Sequence, residues 1–308
     1  MRIACLGAVN QDVKARVSSP VIMGTSNPGH VDRSVGGVAA NIARNLARLE
    51  MPVTLASAVG DDTVGRAMLG SLRADGVDTA GVTVVPGRRT GSYVAVLDDE
   101  GELAAAVADV EILDGLEPAW ATRTAGALTD ADVWVIETNL PEAVIGAVLD
   151  LRPSSVTVVA DPVSVPKAGR LLRHLEQIDV LLPAVTEGAA LVGMEDARGR
   201  VTDVAVRLAD LGVGTVLLKL GAGGVLVVTR QRTELVPAIP PDHVTDVTGA
   251  GDAMAAGYLY GLAIAAADPV RYGLAAASLT VERGETVAPG MSVDAVEARH
   301  ARGRRASL

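Results

Sequence analysis

Short, nearly uninterrupted aliphatic runs recur along the chain: Ile3–Val9, Val53–Val59, Val133–Ile136, Val156–Val159, Val180–Leu182 and Val216–Leu218. A run this short and this apolar keeps no face for water, so it reads as a strand of a parallel sheet covered on both sides. Between the runs lie amphipathic segments, including Ala39–Leu49 (Ile42, Leu46 and Leu49 on one side), Val64–Ala74 and Val201–Leu211. Strand and helix in alternation predict a layered α/β fold with a mostly parallel sheet. In such folds ligands bind beyond the carboxyl ends of the strands.

Two stretches, residues 12–35 and 88–112, break the alternation. They carry strand-like runs and turn signals instead of helices, most clearly in SYVAVLDDEGELAAAVADV around Asp99-Glu100-Gly101. They read as a small β insertion assembled from two separate pieces. No repeat or flexible linker divides the chain, so residues 1–308 are expected to form one domain with a lid-like insertion. Ala253–Ala267 is too short for a bilayer and right for a buried helix.

Composition narrows the function by exclusion. With 37 acidic against 27 basic residues and a net charge of -10, the surface repels a polyanion, so nucleic acid is not an expected partner. At 2% aromatic residues and no Phe, the chain also lacks platforms on which bases could stack. The single cysteine, Cys5, cannot form an internal disulfide and is expected in the core, which suits a cytoplasmic protein. The basic tail Arg299–Arg305 reads as solvated and mobile. Only three of the 27 basic residues are lysines, Lys14, Lys167 and Lys219, which draws attention to each.

The segment most suggestive of chemistry is DVTGAGDAMAAGYL, Asp246–Leu259. Gly249, Ala250 and Gly251 allow a ligand to approach the backbone, and the following helix would point its free N–H groups at that spot. An anion such as phosphate is expected there. Asp252, in the first turn, is placed to take a proton from an attacking hydroxyl. Taken alone, Gly-Ala-Gly could equally serve tight helix packing, with Asp252 as a cap. Gly36-Gly37 form a second bare-backbone loop, followed by Asn41, whose amide can both donate to and accept from hydroxyls. Asn10 and Asp12, two apart on an extended chain, share a side; each by itself could be a turn-capping residue.

Taken whole, Asp246–Leu259 resembles the C-terminal signature of the PfkB, or ribokinase-like, family of carbohydrate and nucleoside kinases. GGVAANIARNLARLEMPVTLASAVG, Gly36–Gly60, resembles its N-terminal signature, with Glu50 where the family usually has Gly or Ser. A non-glycine there predicts a different or strained helix exit. The resemblance implies a ribokinase-like three-layer α/β/α fold with a mostly parallel central sheet and a small β-sheet lid, and an ATP-dependent transfer to a hydroxyl. It makes Asp252 the general base and gives Gly249, Ala250 and Gly251 the anion-stabilising role. It places Asn10, Asp12, Gly36, Gly37 and Asn41 on the sugar.

Further along, VLLKLGAGGVLV resembles the turn over the nucleotide, which assigns Lys219, Gly221, Gly224 and Thr248 to the cofactor. Lys219 stands where threonine is common, and reads either as a counter-ion for ATP phosphate or as a solvent-exposed strand end. LLPAVTEGAALVG resembles the Asn-x-x-Glu motif that organises Mg²⁺, with Glu187 present but Ala184 in place of the asparagine. In related kinases a potassium-type ion lies near the positions of Asp246 and Thr248, and lid strands pair across a homodimer; these residues establish neither.

Three segments narrow the substrate: TSNPGHVDRSVGGVAANIARNLARL, the insertion itself, and DPVSVPKAGRL. All are similar to stretches of pseudouridine kinases, which adds Tyr93, Asp109 and Lys167 as substrate contacts and the 5′-hydroxyl of pseudouridine as acceptor. The other readings are a ribokinase- or fructokinase-like sugar kinase, a kinase of another nucleoside, and a non-catalytic ligand-binding relative motivated by Ala184 alone.

Overall fold

The computed structural model describes residues 1–305. Its strands are β1 (Ile3–Leu6), β2 (Asn10–Val17), β3 (Gly29–Gly36), β4 (Val53–Gly60), β5 (Asp78–Val85), β6 (Ser92–Leu97), β7 (Leu103–Asp109), β8 (Val133–Glu137), β9 (Thr157–Asp161), β10 (Val180–Leu181), β11 (Thr215–Lys219), β12 (Val225–Thr229) and β13 (Thr233–Val236). Nine form one sheet in the order β13-β12-β11-β10-β9-β8-β1-β4-β5. It is parallel from β11 to β5, with β12 and β13 added antiparallel.

Alternation along single strands shows the three layers. Ile3 and Cys5 enter one apolar cluster, shared with the helices Val38–Arg48, Ala250–Ala263 and Pro269–Thr280. Ala4 and Leu6 enter the other, shared with Ala119–Leu128, Glu142–Asp150 and Val201–Asp210. The inner strands are therefore buried on both faces, as continuous apolar runs require. Without phenylalanine, closeness substitutes for bulk: a Cβ on Gly257 would lie 2.5 Å from the Tyr272 carbonyl, so the helices Ala250–Ala263 and Pro269–Thr280 pack nearly backbone to backbone.

The two stretches that break the alternation build a second, four-stranded sheet, β3-β2-β6-β7. The first aliphatic run, expected to extend to Val9, leaves the large sheet after Leu6 and enters the second at Asn10. Gly7–Val9 thus joins the two sheets directly beside the carboxyl edge. Two strands had no clear signal: β5, whose run is interrupted by Asp78 and Gly81, and β13, a four-residue edge with Thr233 and Glu234 exposed.

Helix Val38–Arg48 ends in the strained way its sequence predicts. Glu50 adopts φ 58°, while its N–H and that of Met51 return to the carbonyls of Ala47 and Leu46. This is a Schellman exit with a side chain where glycine is preferred. The basic tail departs from expectation: Val293–Arg305 is a helix, and Arg299 is buried against Glu282 and Ser278. Its guanidinium satisfies a buried carboxylate, which anchors the segment.

Candidate active site

Three strands of the large sheet end in a charged residue. Glu137 closes β8, Asp161 closes β9 and Lys219 closes β11, with Glu137 and Asp161 in register on adjacent strands. A charge at the carboxyl edge of a doubly covered sheet is costly unless paired. Lys219 Nζ meets Asp161 Oδ2 at 2.9 Å, while Glu137 accepts the N–H groups of Ala8 and Asn139. Burial nonetheless raises the Glu137 pKa. Neither Glu137 nor Asp161 is among the residues expected at the site; the signal for both was an acidic residue closing a buried run.

Asp252 lies opposite, in the first turn of Ala250–Ala263. Gly249, at φ 81°, precedes that helix, and a Cβ there would lie 2.0 Å from the Thr286 carbonyl, so only glycine can make the turn. Asn41 Nδ2 donates to Asp252 Oδ2 at 2.9 Å. Asn41 Oδ1 is buried and has no partner among the described residues, leaving an acceptor unused beside the carboxylate. The Asp252 pKa is pushed up to about 8, by burial first and then by the Asp161 charge, against the Asn41 hydrogen bond and the Lys219 ammonium.

Most of the other residues expected on the sugar lie on β2, β3 and β6 of the second sheet, or just beyond. Asn10 Nδ2 donates to Asp12 Oδ1 at 2.6 Å, and Gly36, in register with Asn10, passes so close to the Asp12 carboxyl that a Cβ would reach 2.3 Å from it. Gly37 passes equally close to the Ala8 carbonyl, which fixes the entry to the helix bearing Asn41. Tyr93 is in register with Asp12 across the β2–β6 pair. Asp109 lies off to one side, in a polar recess of ≈ 350 Å³ with Arg88, Arg89 and Glu111, separated from Asn10 by Gly91. Lys167 donates to Asn139 Oδ1, two positions after Glu137 in sequence.

On the other side of Asp252 opens a cavity of ≈ 250 Å³, lined by Gly221, Gly224, Val225, Ile239, Ala250, Gly251 and Met254, with Lys219 at its wall. Its walls are apolar, and its end is the start of the helix, suited to a flat base with an anionic tail. Lys219 is not the exposed strand end that was one of its two readings. Burial alone would depress its pKa, but the charges of Asp161 and Glu187 outweigh it and raise it. Thr248 is exposed, its N–H and hydroxyl both donating to Asp246 Oδ1 at 2.8 and 2.6 Å.

Among the described residues no three ligating side chains converge on a metal. The donors suit an ion that arrives with phosphate ligands and waters and needs only a nearby carboxylate. Glu187 fits that role: it is buried, burial raises its pKa, and Oε2 accepts the Ala184 N–H at 2.7 Å. Ala184 has no side-chain acceptor to complete the capping box.

The pfkB family carbohydrate kinase pattern matches residues 1–292. The pseudouridine kinase of Escherichia coli (strain K12) is 32% identical over 300 residues, covering 94% of each chain. The ATP-dependent ribose-1-phosphate kinase of Halopiger xanaduensis is 32% identical over 267 residues, covering 84% of each. The structure of Arabidopsis thaliana ribokinase complexed with ribose and ATP matches with a TM-score of 0.82 at 22% identity, over 97% of this chain and 98% of that one, so the fold is ribokinase-like. The signature loops, the three-layer fold and the full-length family match agree: this chain belongs to the pfkB family of carbohydrate kinases, phosphotransferases that act on a hydroxyl group.

Proposed function

We propose that this chain is an ATP-dependent kinase that phosphorylates the 5′-hydroxyl of pseudouridine. The observation that carries the reading is the Asn41 amide, with its nitrogen on Asp252 and its oxygen free for a substrate hydroxyl. Asn10, Asp12 and Asn41 would hold the ribose, with Gly36 and Gly37 letting it approach the backbone. Asp252 would take the proton of the attacking hydroxyl, and the N–H groups of residues 249–252 would meet the charge spreading over the transferred phosphoryl group. Positioning and fixed dipoles supply most of the rate in such a transfer. Mg²⁺ carried by ATP would neutralise phosphate charge, with Glu187 holding its waters. Potassium is not needed to neutralise Asp246, since Lys14 Nζ lies 3.1 Å from its Oδ2.

For the nucleobase, support comes from the similarity to pseudouridine kinase and from Tyr93, which stands in register with Asp12. The equal identity to a ribose-1-phosphate kinase favours a second reading, in which a ribosyl phosphate is the acceptor. With ATP and Mg²⁺, purified protein should convert pseudouridine faster than uridine, cytidine, adenosine, ribose, fructose or ribose 1-phosphate. Absence of product with all of them refutes the kinase reading; preference for a sugar or sugar phosphate refutes the nucleoside one. The reading belongs in the cytoplasm, where ATP is available, and no helix of the described residues is long and apolar enough to cross a membrane. The second sheet would serve as a lid; its β7 edge is exposed throughout, with Leu103 58% and Val107 67% accessible, and suits pairing with a second copy.

A further inference from the structure

Strand β2 carries Asn10, Asp12 and Lys14 at alternate positions, and therefore in one row on one face. The first two belong to the proposed sugar side. The third reaches a different part of the molecule: Lys14 Nζ donates to Asp246 Oδ2 at 3.1 Å, a contact across 232 positions of sequence. Asp246 spends its other oxygen on the N–H and hydroxyl of Thr248, shaping the turn that delivers Gly249 and the helix start behind it. One carboxylate thus holds the phosphate-side turn and the sugar-side strand together.

The surroundings favour a working contact over an incidental surface pair. Lys14 and Asp246 are each about 30% accessible, and Lys14 lines a cleft of ≈ 580 Å³ with Asp32, Arg33, Arg44, Arg48 and the segment Gly284–Pro289. Thr286 in that segment is the residue against which Gly249 packs. Elsewhere, apart from Lys219 and the N-terminus, the ion pairs of the described residues use arginine, a planar fork that fixes one geometry. Lysine is a point charge on a flexible stem, able to keep its partner while a strand shifts.

We propose that Lys14 is a positioning residue that couples acceptor binding on β2 to the shape of the phosphate-binding turn through Asp246. The proposal rests on the kinase reading. Its test measures binding as well as turnover: calorimetry of pseudouridine with and without ADP, alongside steady-state kinetics, for wild type, Lys14→Met, Lys14→Gln and Lys14→Arg. In the wild type each ligand is expected to tighten the other by about fivefold or more, within the usual range of coupling between sites. Lys14→Met and Lys14→Gln should each bind the single ligands within about twofold of wild type, lose that mutual tightening and drop kcat about tenfold; Lys14→Arg, which keeps the charge but holds it in a stiffer geometry, should recover only part of both. Wild-type coupling and kcat in both neutral variants overturns the proposal. So does a loss confined to pseudouridine affinity, which would make Lys14 a simple contact. A wild type that shows the coupling but phosphorylates no acceptor refutes the kinase reading alone.

Discussion

The two sides of Asp252 are built on opposite principles. Toward the proposed nucleotide, the cavity offers apolar walls, glycine backbone and a helix start, with Lys219 as its one charged side chain. Toward the proposed sugar, Asn10, Asp12 and Asn41 present side-chain amides and a carboxylate, each tied to few partners. The first side reads a ligand through main-chain geometry, which many side chains would tolerate. The second reads it through side-chain identity, where one lost group leaves another unpaired. Substrate choice is therefore expected to change on the second side while the phosphate donor stays the same.

The sharpest way to break this comparison is at the residue both sides share. Asp252→Asn should lower turnover at least about a thousandfold while nucleoside binding stays largely intact. The same change should stabilise the ligand-free fold at pH 8. The folded pKa of about 8 lies above the roughly 4 of an unfolded carboxyl, so the folded state holds an extra proton and loses stability as pH rises between them. The gain in melting temperature should vanish toward pH 4. Turnover that survives, or a gain that does not depend on pH, contradicts the assignment.

Lys219→Met tests whether backbone alone suffices on the nucleotide side. Removing the ammonium strands the buried Asp161 carboxylate, at a cost of about 3 kcal/mol in denaturant unfolding, and the KM for ATP should rise about tenfold. Asn41→Ala probes the sugar side. It should raise the acceptor KM about tenfold with the ATP KM nearly unchanged; equal changes in both constants would erase the distinction between the sides. Smallest is Glu50→Gly, remote from both, which relieves the left-handed exit and should add up to about 1 kcal/mol with unchanged kinetics.

Legibility followed the same division. The main-chain features announce themselves in sequence, because a turn that passes close to another backbone is written in small residues: Gly37 and Gly249 each open a helix, while Gly36, expected in the loop, closes β3. The doubly buried strands were equally plain, since burial on both faces leaves only aliphatic residues. Glu137 and Asp161 were harder, because one acidic letter at the end of a run does not tell a capped loop from a buried carboxylate. Their meaning depends on adjacent strands and on Lys219, separated from Asp161 by 58 positions. Lys14 and Asp246 show the same limit. The helix exit at Glu50 was legible because its cause is local.

The scarcity of lysine has a chemical consequence. Each of the three binds a side chain around the site: Lys14 to Asp246, Lys167 to Asn139 and Lys219 to Asp161. Apart from the N-terminus, all the primary amines of the chain are thus gathered there. An acylating reagent or an acetylating enzyme, which would decorate the outer surface of most proteins, finds its lysine targets here only around the candidate site. Modification of this protein by such agents would register first as altered activity, and bound ligand would be the natural shield against it.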